Sequence, residues 1–448
     1  MLSAGGLGLA AAAFAALVSS CLSTTGISGG APEVDDAGNA IDTAPPDPNP
    51  CGKDLKTDAV NCGSCGKVCA FGVNSFPRCE AGACKIGCNS GFANCDGDDS
   101  NGCETNLQND AANCAACGRG CLGGACSIGV CQPTVIGTVQ ARLAGITVDA
   151  TNVYYATNSA VVGSSAITRI EKDGKNALAI TSNVPRTLYG IASDATFVYF
   201  PLTNQQSPPT PYDGGILKVA KDGKTAYQVV ASGQPISSSF NLSITSDFAY
   251  WSNFGTYDSA SATYLGSVMR CALPLGCGGG PTSLAGTQNG VYGLTVDSSS
   301  VYFGVYGGSS TLGNAFKCPL AGCGATPPTK VSPTNQTPYW MASDATNVYW
   351  ATDTSIVKSD KVKLDALPMA SGLKAPRTVI VDAKNVYWVS SSGGVVQSCA
   401  IGGCNGTPTN LASNLSCPGY LAQDDDALYW TTGSGCSQTS GTIMKVRK

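Results

Sequence analysis

The side chains in this chain that could do chemistry are its acids and its cysteines, and the usual proton carrier is missing. There is no histidine among 448 residues. That removes the group best suited to proton transfer near neutral pH, and with it Ser-His-Asp and Cys-His nucleophile pairs in their usual forms. A glycoside hydrolase needs only two carboxyls, and Asp213 and Asp258 lie in loops where such a pair would have to form. Neither a phosphate-binding loop nor a dinucleotide fingerprint is present. The expectation is a protein that is not an enzyme and uses no cofactor. An exported carbohydrate-active enzyme working through a carboxylate pair, or a purely structural envelope protein, are the competing readings.

The cysteines number 23: Cys21, fourteen from Cys51 to Cys131 and eight from Cys271 to Cys436. Setting Cys21 aside leaves two even sets, as disulfide frameworks in an oxidising compartment require. The close pairs Cys271–Cys277, Cys318–Cys323 and Cys399–Cys404 are expected to staple turns, with Cys417–Cys436 bridging the last repeat. Two C-x-x-C motifs could hold zinc, but they lie far apart, lack histidine and stand in an exported context, so no metal is expected there. The acids of 95–104 offer a weak calcium candidate in Asp96, Asp98, Ser100 and Glu104, since hard cations take clustered oxygens. Their register departs from an EF-hand loop.

The remaining aspartates mark architecture. A short apolar run, an aspartate and a Val-Tyr-Trp-like run recur seven times, as in GITVDATNVYY at 145–155, WMASDATNVYW at 340–350 and TVIVDAKNVYW at 378–388. The anchoring acids are Asp149, Asp194, Asp247, Asp297, Asp344, Asp382 and Asp424, spaced by 38 to 53 residues. Each unit divides into four strand-sized pieces, with Asp-Gly turns such as 172–174 and 221–223 marking hairpins. Seven such units make an all-β, seven-bladed β-propeller over residues 133–448, preceded by a small disulfide-rich module. The last unit lacks a fourth strand, and residues 134–140 precede the first with nothing to pair with. They are expected to complete the last blade and close the ring. The repeat resembles the YWTD propeller of the lipoprotein-receptor family through Asp344, Val348, Tyr349, Trp350, Thr352 and Asp353, and through Asp382, Val386, Tyr387 and Trp388. That resemblance implies a structural role for the repeated aspartates and aromatics.

Residues 1–20 are short and apolar, and Val18-Ser19-Ser20-Cys21 looks like a bacterial lipobox, whose cysteine is lipidated. The expected organisation is a signal peptide at 1–20, a lipid-anchored linker at 21–50, a cysteine-rich module at 51–131 and the propeller. The protein would be exported and tethered to the envelope membrane, at the outer membrane or cell surface. The module holds a duplication: Asp58, Asn61, Cys62, Cys65, Gly66 and Cys69 match Asp110, Asn113, Cys114, Cys117, Gly118 and Cys121. It resembles cysteine-rich repeats of exported bacterial surface proteins. Net charge is −4 with 12% charged residues, so no basic stripe points to nucleic acid. Tyr189, Tyr292, Tyr339, Trp340 and Tyr420 fall at or next to the position five before a repeat aspartate, and Arg377 takes the same place in the sixth unit. Loops between second and third strands add Tyr212, Tyr257, Tyr264 and Tyr306. Rigid aromatics with a polar end suit a protein, peptide or glycan ligand.

Overall fold

The structure is a computed structural model that describes residues 51–158, 164–184, 190–202, 214–236, 241–273, 275–277, 280–307, 313–333, 335–433 and 439–448. Among them there are strands and turns and no helix, so none is long and apolar enough to cross a membrane. The described chain divides into two compact units, one of residues 51–69 with 78–84 and one of residues 70–77 with 85–448.

The larger unit contains a seven-bladed β-propeller. Blade one is an antiparallel sheet of Arg142–Val148, Asn152–Asn158, Ser165–Glu171 and Leu178–Val184. Blades two to six repeat that order, and blade three carries an extra short strand, Tyr257–Asp258. Blade seven takes three strands from the C-terminus and its fourth from Thr134–Val139, as the missing strand requires. Gly441 pairs with Val139, Ile443 with Gly137 and Lys445 with Thr134. No edge is left between first and last blades.

The Val-Tyr-Trp run is the second strand of each blade. Successive side chains point to opposite faces, and both faces are covered by neighbouring blades. Each junction therefore receives the tyrosine of one blade and the next aromatic of the following blade. Tyr154 meets Phe200, Tyr199 meets Trp251, and Tyr250 meets Phe303. Tyr302 meets Trp350, Tyr349 meets Trp388, Tyr387 meets Trp430, and Tyr429 meets Tyr155 across the closure. The inner strands approach closely at glycine. A Cβ on Gly293 would sit 2.7 Å from the Tyr339 carbonyl oxygen, and one on Gly145 would sit 2.9 Å from the backbone of Gly190.

In the smaller unit Cys51–Cys65, Cys62–Cys79 and Cys69–Cys84 bond, and in the larger Cys88–Cys103, Cys95–Cys117, Cys114–Cys126 and Cys121–Cys131. The duplication is real in three dimensions. The Asn61 side chain donates to Asp58 and accepts from the Gly66 N–H. Asn113 does the same between Asp110 and Gly118. Cystines 114–126 and 121–131 form a small core where few large apolar residues exist.

Candidate functional site: the aromatic loop face

The repeat aspartates occupy the end of the ring where first strands turn into second strands. In six blades the aspartate accepts two backbone N–H groups of its own turn and the hydroxyl of the tyrosine five residues on. Tyr349 donates to Asp344 at 2.6 Å and Tyr199 to Asp194 at 2.7 Å. In four blades the residue after the third strand is a lysine that reaches the aspartate of the preceding blade. These pairs are Lys172–Asp424, Lys221–Asp149, Lys361–Asp297 and Lys448–Asp382, at 2.6 to 3.0 Å. Burial alone would raise the Asp297 carboxyl, but the Lys361 ammonium and the N–H groups of Ser299 and Ser300 outweigh it and hold it at about 2. Burial and the Asp297 charge push the Tyr302 phenol up to about 12. Carboxylates so fully engaged do not exchange protons near neutral pH; they lock blades together, as the resemblance to YWTD repeats implies.

Blade three corrects the expectation at Asp247. There Thr245 takes the anchor's place: its N–H donates to the Phe248 carbonyl, as Asp344 donates to Asn347, and its Oγ1 accepts from the Phe248 N–H at 3.1 Å. Asp247 lies two residues further on, in the turn.

The short staples Cys271–Cys277, Cys318–Cys323 and Cys399–Cys404 form as expected. Cys417 is disulfide-bonded; its expected partner Cys436 lies outside the described residues. The calcium candidates are turned onto local donors. Asp96 accepts from the Asp98 N–H and the Asn101 amide, Asp98 from the Ser100 N–H, and Glu104 from the Cys95 N–H and Thr105. Among the described residues only cysteines bring three potential metal-binding atoms within 4.8 Å, and those are disulfide-bonded.

The opposite end of the ring carries the aromatic loops. Tyr257, Tyr264, Phe254, Tyr306, Tyr292 and Tyr339 form one continuous belt across blades three to five. Centroids lie 5.2 Å apart for Tyr257–Tyr264, 4.5 Å for Tyr264–Phe254, 4.9 Å for Phe254–Tyr292 and 5.2 Å for Tyr292–Tyr339. Tyr306 touches Phe254, Tyr264 and Tyr292. Phe254 is buried at the hub, while Tyr257 is 58% exposed and the other tyrosines are half-buried. The Arg377 guanidinium lies over the Tyr339 ring at 4.8 Å. The Tyr339 hydroxyl hydrogen-bonds the exposed Asp353; burial and that bond push its phenol up to about 12. Burial raises the Tyr292 phenol too, which also feels Tyr306, Tyr264, Arg377 and Asp353. Four phenols, one acid and one guanidinium thus converge.

Of the residues expected at this face, Tyr292, Tyr339, Arg377, Tyr257, Tyr264 and Tyr306 come together. Trp340 and Tyr420 meet each other at 6.0 Å and pack onto blade cores. Tyr189, Tyr212, Asp213 and Cys21 lie outside the described residues. Phe254 and Asp353 escaped the sequence reading as site residues. Their signal is a second row: Phe254, Tyr306 and Asp353 each stand nine residues after an anchor, once Thr245 is taken as the anchor of blade three.

No protein-family model and no curated protein matches the chain. Among solved structures it is similar to virginiamycin B lyase from Staphylococcus aureus, in selenomethionine-substituted form. The identity there is 10%, over 71% of this chain and 98% of that one, with a TM-score of 0.51. It is also similar to a streptogramin B lyase, at 9% identity over 70% and 97% of the two chains and a TM-score of 0.52. Likeness at such identity establishes the shared propeller fold. It also corrects the expectation that the chain is not an enzyme: the same fold carries lyases, so the fold gives no ground for that exclusion. What the comparisons establish is that the chain has the propeller fold that these lyases share.

Proposed function

We propose that the aromatic loop face binds a saccharide along the belt from Tyr257 to Tyr339. The observation that supports this reading is the packing of the belt itself. Neighbouring centroids stand 4.5 to 5.2 Å apart, so the rings touch and leave no cage for a cation between them. Neighbouring rings are tilted by 42° to 61° to one another, so the belt is a faceted surface of half-exposed tyrosines, on which a single ring face suits the C–H face of one pyranose and the hydroxyls suit its rim. Asp353 and Arg377 at one end add polar groups that fix orientation, as few well-placed polar groups do in ligand sites. In this reading the protein is exported, with a lipid on Cys21 holding the ring at a membrane surface. The lipobox-like Val18-Ser19-Ser20-Cys21 and the disulfide bonding of every described cysteine support it. Intact-mass measurement of protein made in an exporting host would find the diacylglycerol mass on Cys21; an unmodified mature chain would remove the anchor.

The direct test is calorimetric titration of oligosaccharides, chosen from a glycan array, into the unmutated protein and Tyr292→Ala. Loss of the central ring is expected to weaken binding about tenfold, with thermal unfolding lowered by its lost ring contacts but still cooperative. Equal affinity in both proteins would remove the platform reading.

A further inference from the structure

Resting on that reading, we propose that the saccharide is an acidic one, and that Arg377 selects it by holding a sugar carboxylate. Arg377 is borne on the first strand of blade six, Pro376–Val381, and its guanidinium is pinned over Tyr339. Its described hydrogen bond runs from Nη1 to the Pro376 carbonyl at 3.2 Å, and no described acid forms an ion pair with it.

The other basic side chains near the blade junctions are committed elsewhere. Lys172, Lys221, Lys361 and Lys448 pair with anchor aspartates. Arg169, Arg270, Lys317, Lys358 and Lys445 donate to turn carbonyls of the adjoining blade. Arg377 therefore differs in kind: a half-buried cation with Nε and Nη2 donors not engaged by described residues, at the end of a stacking platform.

A guanidinium is planar and matches a carboxylate with two parallel hydrogen bonds. Stacking on Tyr339 restricts it before a ligand arrives, so less side-chain freedom is lost on binding. Asp353 lies near the same ring and would repel an anion placed against it. It would instead accept sugar hydroxyls, its Tyr339 partner helping to hold it. A uronic acid ring has this division of chemistry, with a carboxylate on one edge, hydroxyls on the other and a C–H face between them.

The test uses trigalacturonate and its carboxyl-reduced, neutral counterpart as probes, titrated into the full chain, Arg377→Gln and Arg377→Lys. The unmutated protein is expected to prefer the uronate by roughly tenfold or more, the scale of a hydrogen bond to a charged group. Raised ionic strength should erode that preference and leave the neutral sugar unaffected. Arg377→Gln should abolish the preference, binding both trimers equally and more weakly than the unmutated protein binds the uronate, with a cooperative thermal unfolding transition showing that the platform is folded; Arg377→Lys should keep part of the preference. Equal binding of the two sugars by the unmutated protein, or a preference surviving in Arg377→Gln, would overturn the carboxylate assignment and leave the saccharide reading standing. Failure of both sugars to bind would overturn both.

Discussion

At the scale of single residues, the repeat aspartate is a half-buried acid held ionic by its surroundings. Four of the seven blades pair it with a lysine, and every anchor acid accepts backbone N–H groups of its turn. Asp297 and Asp382 are both held at about 2 against an ordinary 3.8. A carboxyl with a lowered folded-state pKa adds stability above its unfolded value and loses it as pH falls through the folded value. The thermal midpoint should therefore stay level from neutral pH to about pH 5 and drop between about pH 4 and pH 2. Asp297→Asn should start lower and fall less steeply; a variant that tracks the unmutated curve would contradict the account. The sequence made six of these anchors legible because aspartate and tyrosine keep a spacing of five. Blade three breaks the code. Thr245 keeps the five-residue distance to Tyr250, while Asp247 catches the eye by being the acid.

At the scale of elements, two devices alternate at one place. Where the residue after the third strand is lysine, it reaches into the preceding blade. Where it is Leu273, Leu320 or Ile401, a short cystine brackets it. The staples were readable from Cys-x-Leu and Cys-x-Ile spacing alone. The lysine latch was not, because its partner sits a whole repeat away and only the ring brings them together. If the devices are equivalent, one should replace the other. Cys318→Ser with Cys323→Ser should cost about 2 kcal/mol in urea unfolding, from the chain-entropy estimate for so short a loop. Adding Thr245→Asp and Leu320→Lys rebuilds the ion pair of the neighbouring junction, and the lysine stem can cover the apolar surface that Leu320 covers now. Recovery of about 1 kcal/mol is expected, near the upper end for an exposed pair. No recovery would mean that staple and latch do different work.

At the scale of the whole molecule, the ring is shut by a strand from beside the second cysteine repeat. The junction is fastened further: Arg119 donates to the Lys448 carbonyl at 2.8 Å and Arg447 to the Gly120 carbonyl at 2.9 Å. Ile136 is buried in the closing strand, against Ile443 and Tyr429. Ile136→Asp places an unpaired charge there and should cost about 3 kcal/mol or more. An unchanged unfolding curve would show that closure adds little. Seven units and their closure were legible because periodicity and a missing strand are both written along the chain. The functional face was legible only in part. The row five before the anchor gave Tyr292, Tyr339 and Arg377, whereas Phe254 and Asp353 belong to a second row that becomes visible only with the anchor of blade three correctly placed. The claim that this face is a sugar platform is tested most directly by saturation-transfer NMR with an oligosaccharide probe, irradiating the tyrosine ring protons. The account predicts transfer to the axial C–H protons of one sugar face, strongly reduced in Tyr292→Ala; no transfer, or transfer indifferent to that substitution, would contradict it.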